Sequence, residues 1–359
     1  MIRIRRRGLL ACTLGLLVLA NLGLAQQKWK GLWTDPGDKS LPVEFKIQGE
    51  YVGAIKGGDK LGCQVICLGP GSFQAVCYPG GLPGAGWDGK NKILMQGKLE
   101  GEKAVYSPAD GKRRYLGQKP EEFSATSKFP PDGQKAYTGT IAGDTLTGKT
   151  DDGKPFELKR TIRKSTTLGM KPPQGALVLF DGTDTKEWKG GRLDKETGLL
   201  NTDGKDITTA KKFSNYTMHV EFMLPFKPEA RGQGRGNSGF YQIDLYEVQI
   251  LDSFGLDGKN NECGGVYSQK DPLLNMCLPP LQWQTYDVDF TNAVVEGDKK
   301  VKPAVMTVKL NGVVIHDKYE LKGKTGGSRS EPEGTPGVMK LQGHGNPLQF
   351  RNVWIEEKK

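Results

Sequence analysis

Residues Asn237 to Asp252 read NSGFYQIDLYEVQILD. An Asn-Ser-Gly turn signal opens the stretch, and the remaining residues have the composition of one long strand. Side chains alternate across a strand, so the run has two faces. Tyr246, Val248 and Ile250 form an apolar face suited to a core. Leu245, Glu247, Gln249 and Leu251 point the other way. A carboxylate and an amide therefore sit side by side in mid-strand. An unpaired carboxylate is costly to bury, so this face is expected to line a groove.

The surrounding sequence has the same character. The chain has 359 residues, enough for two domains, with 50 glycines and 21 prolines. Helical periodicity is nearly absent. From Ala176 onward strands are expected at Ala176 to Phe180, Tyr216 to Leu224, Gly239 to Leu251, Gly265 to Tyr267 and Gln284 to Phe290. More follow at Ala304 to Leu310, Val313 to Tyr319, Gly337 to Gln342 and Leu348 to Glu356. Asn311-Gly312 is a hairpin turn. This pattern predicts a β-sandwich or jelly roll over residues 176–359.

Residues 28–164 read as a separate antiparallel all-β domain, giving an all-β chain. Asp-Gly turns recur at Asp88, Asp110, Asp132 and Asp152. Strands are expected from Val43 to Ile47, Gly62 to Leu68, Phe73 to Tyr78 and Lys92 to Leu99. Further strands are Lys103 to Tyr106, Ala136 to Ile141, Thr145 to Thr150 and Phe156 to Arg163. Trp87, in the loop Pro79 to Gly89, either stacks on a ligand or pins the loop to the core. Residues 165–175 form a linker stiffened by Lys171-Pro172-Pro173.

Residues 1–25 have the form of an export signal. Arg3, Arg5, Arg6 and Arg7 precede an apolar run from Leu9 to Leu19, and Gly23 and Ala25 suit a cleavage site. The run is too short for a good membrane span. A secreted or periplasmic protein is expected, with no stable membrane insertion after cleavage. Loss of these four arginines would lower the formal net charge from +10 to +6. The charges alternate in sign along the loops, which argues against nucleic acid as a partner.

Five cysteines follow the signal, so at least one is free or intermolecular. Export would permit disulfides. Cys263 and Cys277 close a loop of about 15 residues, and their disulfide is expected to stabilise the fold by roughly 3 kcal/mol. Cys63 and Cys77 lie on neighbouring strands, either bridged or as buried thiols.

The C-terminal region resembles the 3-keto-disaccharide hydrolase family. The resemblance is carried by LFDG (Leu179 to Gly182), the Asn237 to Gly239 turn and YEVQILD (Tyr246 to Asp252). It continues through ECGGVY (Glu262 to Tyr267), PPLQWQTYDVDF (Pro279 to Phe290), LNG (Leu310 to Gly312) and LQGHGNPLQFRNVWI (Leu341 to Ile355). It implies a concanavalin A-like jelly roll that cleaves glycosides oxidised at C3. Laminarinase-like glycosidases, a more distant comparison, carry Glu-x-Asp-x-x-Glu on a concave strand. Glu247, Gln249 and Asp252 occupy those positions here, with two of the three residues altered.

A ketone at C3 acidifies the C2 hydrogen and opens a route by β-elimination and hydration. It requires a base, a group that polarises the ketone and an acid for the leaving oxygen. The resemblance implies Glu247 as base or acid, Gln249 on a hydroxyl or the ketone, and His344 and Arg351 as proton carrier and oxyanion partner. Asn237, Tyr267, Trp283 and Asp252 complete the candidate binding set.

Seven of the eight have a structural alternative: a surface ion pair for Glu247 or Arg351, a turn for His344, Asn237 or Asp252, and core packing for Trp283 or Tyr267. Two rival functions also stand, a non-catalytic lectin-like protein and a surface interaction protein that works through its first domain. Gly234, Gly236 and Gly239 spell G-x-G-x-x-G but precede a strand rather than open a helix, which argues against nucleotide binding. Only three histidines are present, so no His-rich metal site is expected. No cofactor is expected, and no motif places a carboxylate-bound Ca²⁺. The expected partner is a small glycoside.

Overall fold

A computed structural model describes residues 30–358, and the export-signal pattern lies outside them. The chain is nearly all β. In its first part eight antiparallel strands close into a barrel. Around the barrel the order is Gly49–Ile55, Pro155–Thr161, Thr145–Lys149, Thr138–Ala142, Lys103–Pro108, Ile93–Glu100, Ser72–Pro79 and Lys60–Cys67. Tyr51, Val65, Phe73, Ala75, Met95, Ile141, Leu146 and Leu158 fill the interior. Closure leaves no free sheet edge.

Val43–Ile47, expected as a strand, is a single helical turn entered from Pro42. Its Glu44 carboxylate accepts a hydrogen bond from Gly71 N at 2.8 Å. The turn lies at one end of the barrel, beside Trp33 and the ring of Phe226 from the second part of the chain.

The second part has two sheets. Seven strands of the larger sheet run in the order Arg192–Asp194, Leu199–Asn201, Gln349–Glu357, Tyr216–Met223, Trp283–Thr291, Val305–Leu310 and Val313–Glu320, and an eighth, Leu177–Phe180, also pairs with Gln349–Glu357. The smaller sheet has the order Trp188–Lys189, Ile207–Thr209, Lys340–Leu341, Ser238–Gln242 and Tyr246–Ile250. The sheets pack face to face. Phe240 and Tyr246 of the smaller sheet meet Tyr286 and Phe290 of the larger. The same apolar cluster continues into Ile66, Leu68, Val76 and Tyr78 of the barrel.

The stretch expected as one long strand is a tight hairpin. Ile243 and Asp244 both have positive φ, +46° and +56°, and Leu245 N donates to Gln242 O at 3.0 Å. A β-branched residue is disfavoured there, so local sequence does not announce the turn. Tertiary contacts hold it. Ile243 is fully buried, Arg329 N donates to Asp244 O, and Lys340 pairs with Asp244 at 2.6 Å.

All five cysteines among the described residues are buried free thiols. The expected Cys263–Cys277 bridge is therefore not formed. The two thiols are neighbours, but Cys263 Sγ lies 3.4 Å from Tyr286 Oη and Cys277 Sγ lies 3.6 Å from Leu251 O. Cys63 and Cys77 face each other across paired strands. Trp87 packs edge-on against Tyr78 and donates its indole N–H to Asn91 O, so it pins its loop.

Candidate active site

The hairpin turn decides which side chains meet. It makes Tyr241 the cross-strand partner of Glu247, and Gly239 the partner of Gln249. Alternation buries Phe240, Tyr246, Val248 and Ile250 in the core. Gly239, Tyr241, Glu247 and Gln249 are left on the outer face. There Tyr241, Glu247 and Gln249 line a cleft of about 240 Å³ with Gln233, Asn237, Tyr267, Gly326, Gly327, Gln342 and His344.

Two glycines make the close approach feasible. A Cβ at Gly239 would overlap Glu247 Oε1 and lie 2.8 Å from the Tyr241 ring. Gly327 has φ +70°, and a Cβ there would stand 2.7 Å from Tyr241 Oη. The segment after Gly264 runs along the outer edge of the Glu247 strand. Gln249 N donates to Gly265 O at 2.9 Å and Tyr267 N to Glu247 O at 3.1 Å.

Glu247 is 3% exposed. Burial pushes its carboxyl up to about 7, against the Tyr241 hydrogen bond and the Lys340 charge, which favour ionisation. Tyr241 Oη donates to Glu247 Oε2 at 2.9 Å and lies 2.8 Å from Gly326 O. Burial, then the Glu247 charge, raises the Tyr241 hydroxyl far above its ordinary value. The Lys340 ammonium sits 3.9 Å from the centre of the Tyr241 ring.

Beside Glu247 the cleft is lined by amides. Gln233 Oε1 accepts from Asn237 Nδ2 at 3.1 Å and from Gln249 Nε2 at 3.2 Å. Asn237 Oδ1 and Gln249 Oε1 are left buried without a protein partner. A buried acceptor without a donor is uncommon and unfavourable. Hydroxyl groups of a bound ligand would satisfy both. His344 lies on the exposed rim, at φ +34°.

Five of the eight residues expected at the site are therefore together: Asn237, Glu247, Gln249, Tyr267 and His344. The other three are elsewhere. Asp252 is buried and ion-paired with Arg235 at 2.6 Å. Arg351 lies on the larger sheet, where its Nε donates to Glu221 at 2.7 Å and its guanidinium stacks 4.0 Å over Trp283. Met218, Val220 and Phe222 of the adjoining strand face the core. Glu221, and Arg351 opposite it in register, therefore face away from the core, on the side of the sandwich opposite the cleft. Sequence reasoning missed Tyr241, Gln233, Gln342 and Lys340. The first would have followed from recognising the turn at Ile243 and Asp244.

The barrel braces the amide wall. Arg231 Nη2 donates to Leu68 O at 2.7 Å, its guanidinium lies over the Phe123 ring at 5.4 Å, and Arg235 Nη1 donates to Cys67 O at 3.1 Å. These arginines flank Gln233. Among the described residues no three His, Cys, Asp or Glu side chains converge as metal ligands.

A family model described as the 3-keto-alpha-glucoside-1,2-lyase-like domain matches residues 175–356, about half of the chain. The chain belongs to this family. Its lyase-like domain carries the whole lining of the cleft. Among solved structures, a Parabacteroides distasonis protein provisionally described as a glycosyl hydrolase is 30% identical. The match covers 52% of this chain and 85% of that one, with a TM-score of 0.45. A second P. distasonis structure with the same description is 20% identical over 52% of this chain and 95% of that one, with a TM-score of 0.38. No curated protein matches the chain significantly.

Proposed function

We propose that the chain is an exported enzyme, secreted or periplasmic, that cleaves glycosides whose sugar is oxidised at C3. The proposed fold of its lyase-like domain is the concanavalin A-like jelly roll. The observation that carries the reading is a buried carboxyl, poised near neutrality, in a cleft whose neighbouring amides present unpartnered acceptors.

A base works best when its pKa lies near the working pH. Glu247 takes the C2 hydrogen, and the C–H electron pair moves into an enolate with the C3 ketone. The enolate collapses to a C1=C2 double bond and restores the ketone. The bond from C1 to the glycosidic oxygen breaks, and that oxygen takes a proton from His344 at the rim. Water then adds across the double bond. Once Glu247 holds the proton, Tyr241 is free to turn its hydroxyl to the enolate oxygen. Asn237 Oδ1 and Gln249 Oε1 accept sugar hydroxyls, and Tyr267 closes one side.

Ordinary retaining hydrolysis fits less well. It needs a second carboxyl about 5–5.5 Å from the first. The motif's candidate, Asp252, is held by Arg235.

The test is incubation with 3-keto-trehalose, 3-keto-lactose and their unoxidised parents in deuterated water. Release from the keto substrates alone, with deuterium entering C2 and both signals lost in Glu247→Gln, supports the elimination. Release from the parents as well would favour a conventional glycosidase. Binding without release would favour the lectin-like alternative.

A further inference from the structure

The two ends of the barrel differ. The turn Val43–Ile47, Trp33 and Phe226 close one end, with Leu281 in the same cluster. At the other end four connections surround an open cavity of about 510 Å³, more than twice the volume of the cleft at Glu247. They are the loops after Ile55, Pro79 and Lys149 and the segment before Thr138. Small eight-stranded barrels have room for side chains or for one small ligand, and their mouths are a recurrent place for ligand sites.

We propose that this mouth binds a neutral, hydroxyl-rich ring of the pyranose type. The floor is apolar, built from Ile55, Leu61, Ile93 and the Tyr137 ring, which suits the C–H face of a sugar. Tyr137 lines the cavity, and among the described residues its hydroxyl has no protein partner and is open to the cavity. Burial, then Asp151, Asp152 and Asp59, pushes that hydroxyl up to about 12. It is therefore a protonated donor within the field of three carboxylates.

The rim sets the charge of the ligand. Lys135 pairs with Asp151 at 3.8 Å and Lys154 with Asp152 at 2.9 Å, and Asp59 and Lys60 adjoin in sequence. A charged ligand would meet repulsion as well as attraction. A neutral polyol can donate to the carboxylates and accept from the ammonium groups. The inference does not depend on the chemistry proposed for Glu247.

The experiment is calorimetric titration of the full chain with maltose, cellobiose and methyl α-glucoside. It compares wild type, Tyr137→Phe, Asp151→Ala/Asp152→Ala and the cleft variant Glu247→Gln. Tyr137→Phe is expected to weaken binding about fivefold, as the loss of one hydrogen bond does. The double variant changes only exposed side chains and should weaken it further. Glu247→Gln should leave this binding unchanged. Binding that neither mouth variant weakens, or that Glu247→Gln abolishes, would overturn the proposal. So would no heat from any of the three sugars at millimolar concentration. A glycan end rather than a free sugar is indicated if maltohexaose binds more tightly than maltose.

Discussion

Two buried glutamates face outward from opposite sides of the sandwich, and their surroundings drive them in opposite directions. Glu221 is 1% exposed and Glu247 is 3% exposed. For Glu221 the cost of burial is outweighed by His219, Asn352, Arg351 and the Gly169 amide, and its carboxyl falls to about 2. Asn352 Nδ2 donates to it at 2.9 Å and Gly169 N at 2.6 Å. His219, beside it, bonds Asp287 at 2.6 Å and stacks on Trp354. Thr167 of the interdomain segment reaches Asp287 at 2.7 Å. The segment read as a linker is thus fastened across the sheet at this point. Glu247 has one hydrogen-bonding side chain, Tyr241, and burial dominates. Burial alone therefore does not set the direction of a carboxyl's shift; the number of groups that favour its charge does.

Neutralising each acid tests the contrast. Glu247→Gln should slow elimination by about 10² to 10⁴, the range for loss of a general base, while the protein stays folded and is equally or more stable. Glu221→Gln should do the reverse, lowering stability by roughly 1–3 kcal/mol because Gly169 N, Asn352 and the half-exposed Arg351 lose a charged acceptor. Urea unfolding and single-turnover rates on both variants decide it. Rate loss in Glu221→Gln without loss of stability would break the comparison.

The second test is the dependence of stability on pH. Glu247 has a folded pKa of about 7, above the ordinary 4.5. The folded state then binds more protons than the unfolded state between those values, and stability should fall as pH rises from about 4.5 to 7. The full difference is about 3 kcal/mol by linkage. Glu221 has the opposite sign. Its contribution is present above 4.5 and lost as pH falls toward 2. Subtracting the Glu247→Gln profile from wild type should leave the descending slope alone. A flat difference would mean that Glu247 is not desolvated.

The same contrast explains how much could be read in advance. Period-two alternation places Glu247 and Gln249 outside the core, and the resemblance brings Asn237, Tyr267 and His344 to them. Alternation says inward or outward, but not on which sheet. Arg351 and Trp283 are thus as plausible as Glu247 from sequence, although they sit across the sandwich. Asp252 fails for a different reason: its partner Arg235 lies in a loop whose path the barrel fixes through Cys67 O. Tyr241 was hidden because a β-branched residue, Ile243, takes the first left-handed position of the turn and no glycine follows Asp244. The strand expected at Val43–Ile47 became helical because its five residues do not join the barrel ladder and instead pack at the barrel end.

Gly239→Ala perturbs only the open side of the comparison. The new Cβ would displace the Glu247 carboxyl, and a misplacement near 1 Å can cost about 10²-fold in rate. Stability should change little if the carboxyl moves into the cleft. Activity within a few fold of wild type would show that the contact with Gly239 does not position the base.

The smallest expected effect links the cleft to the first part of the chain. Phe123→Leu removes the aromatic face beneath Arg231, an interaction of about 0.5–1 kcal/mol at exposed sites and more when desolvated. Arg231 would still donate to Leu68 O and Pro228 O, so the loop should loosen rather than unfold. Gln233 follows Arg231 by two residues and orients both Asn237 and Gln249. Those amides are proposed to hold sugar hydroxyls in the ground state and the transition state alike. Loss of such uniform binding raises KM and leaves kcat unchanged. A rise of a few fold in KM is expected, restored by Phe123→Tyr, which keeps an aromatic face. A fall in kcat at constant KM would instead place Gln233 in the chemical step. No change in either would make Phe123 a neighbour of the cleft and not its support.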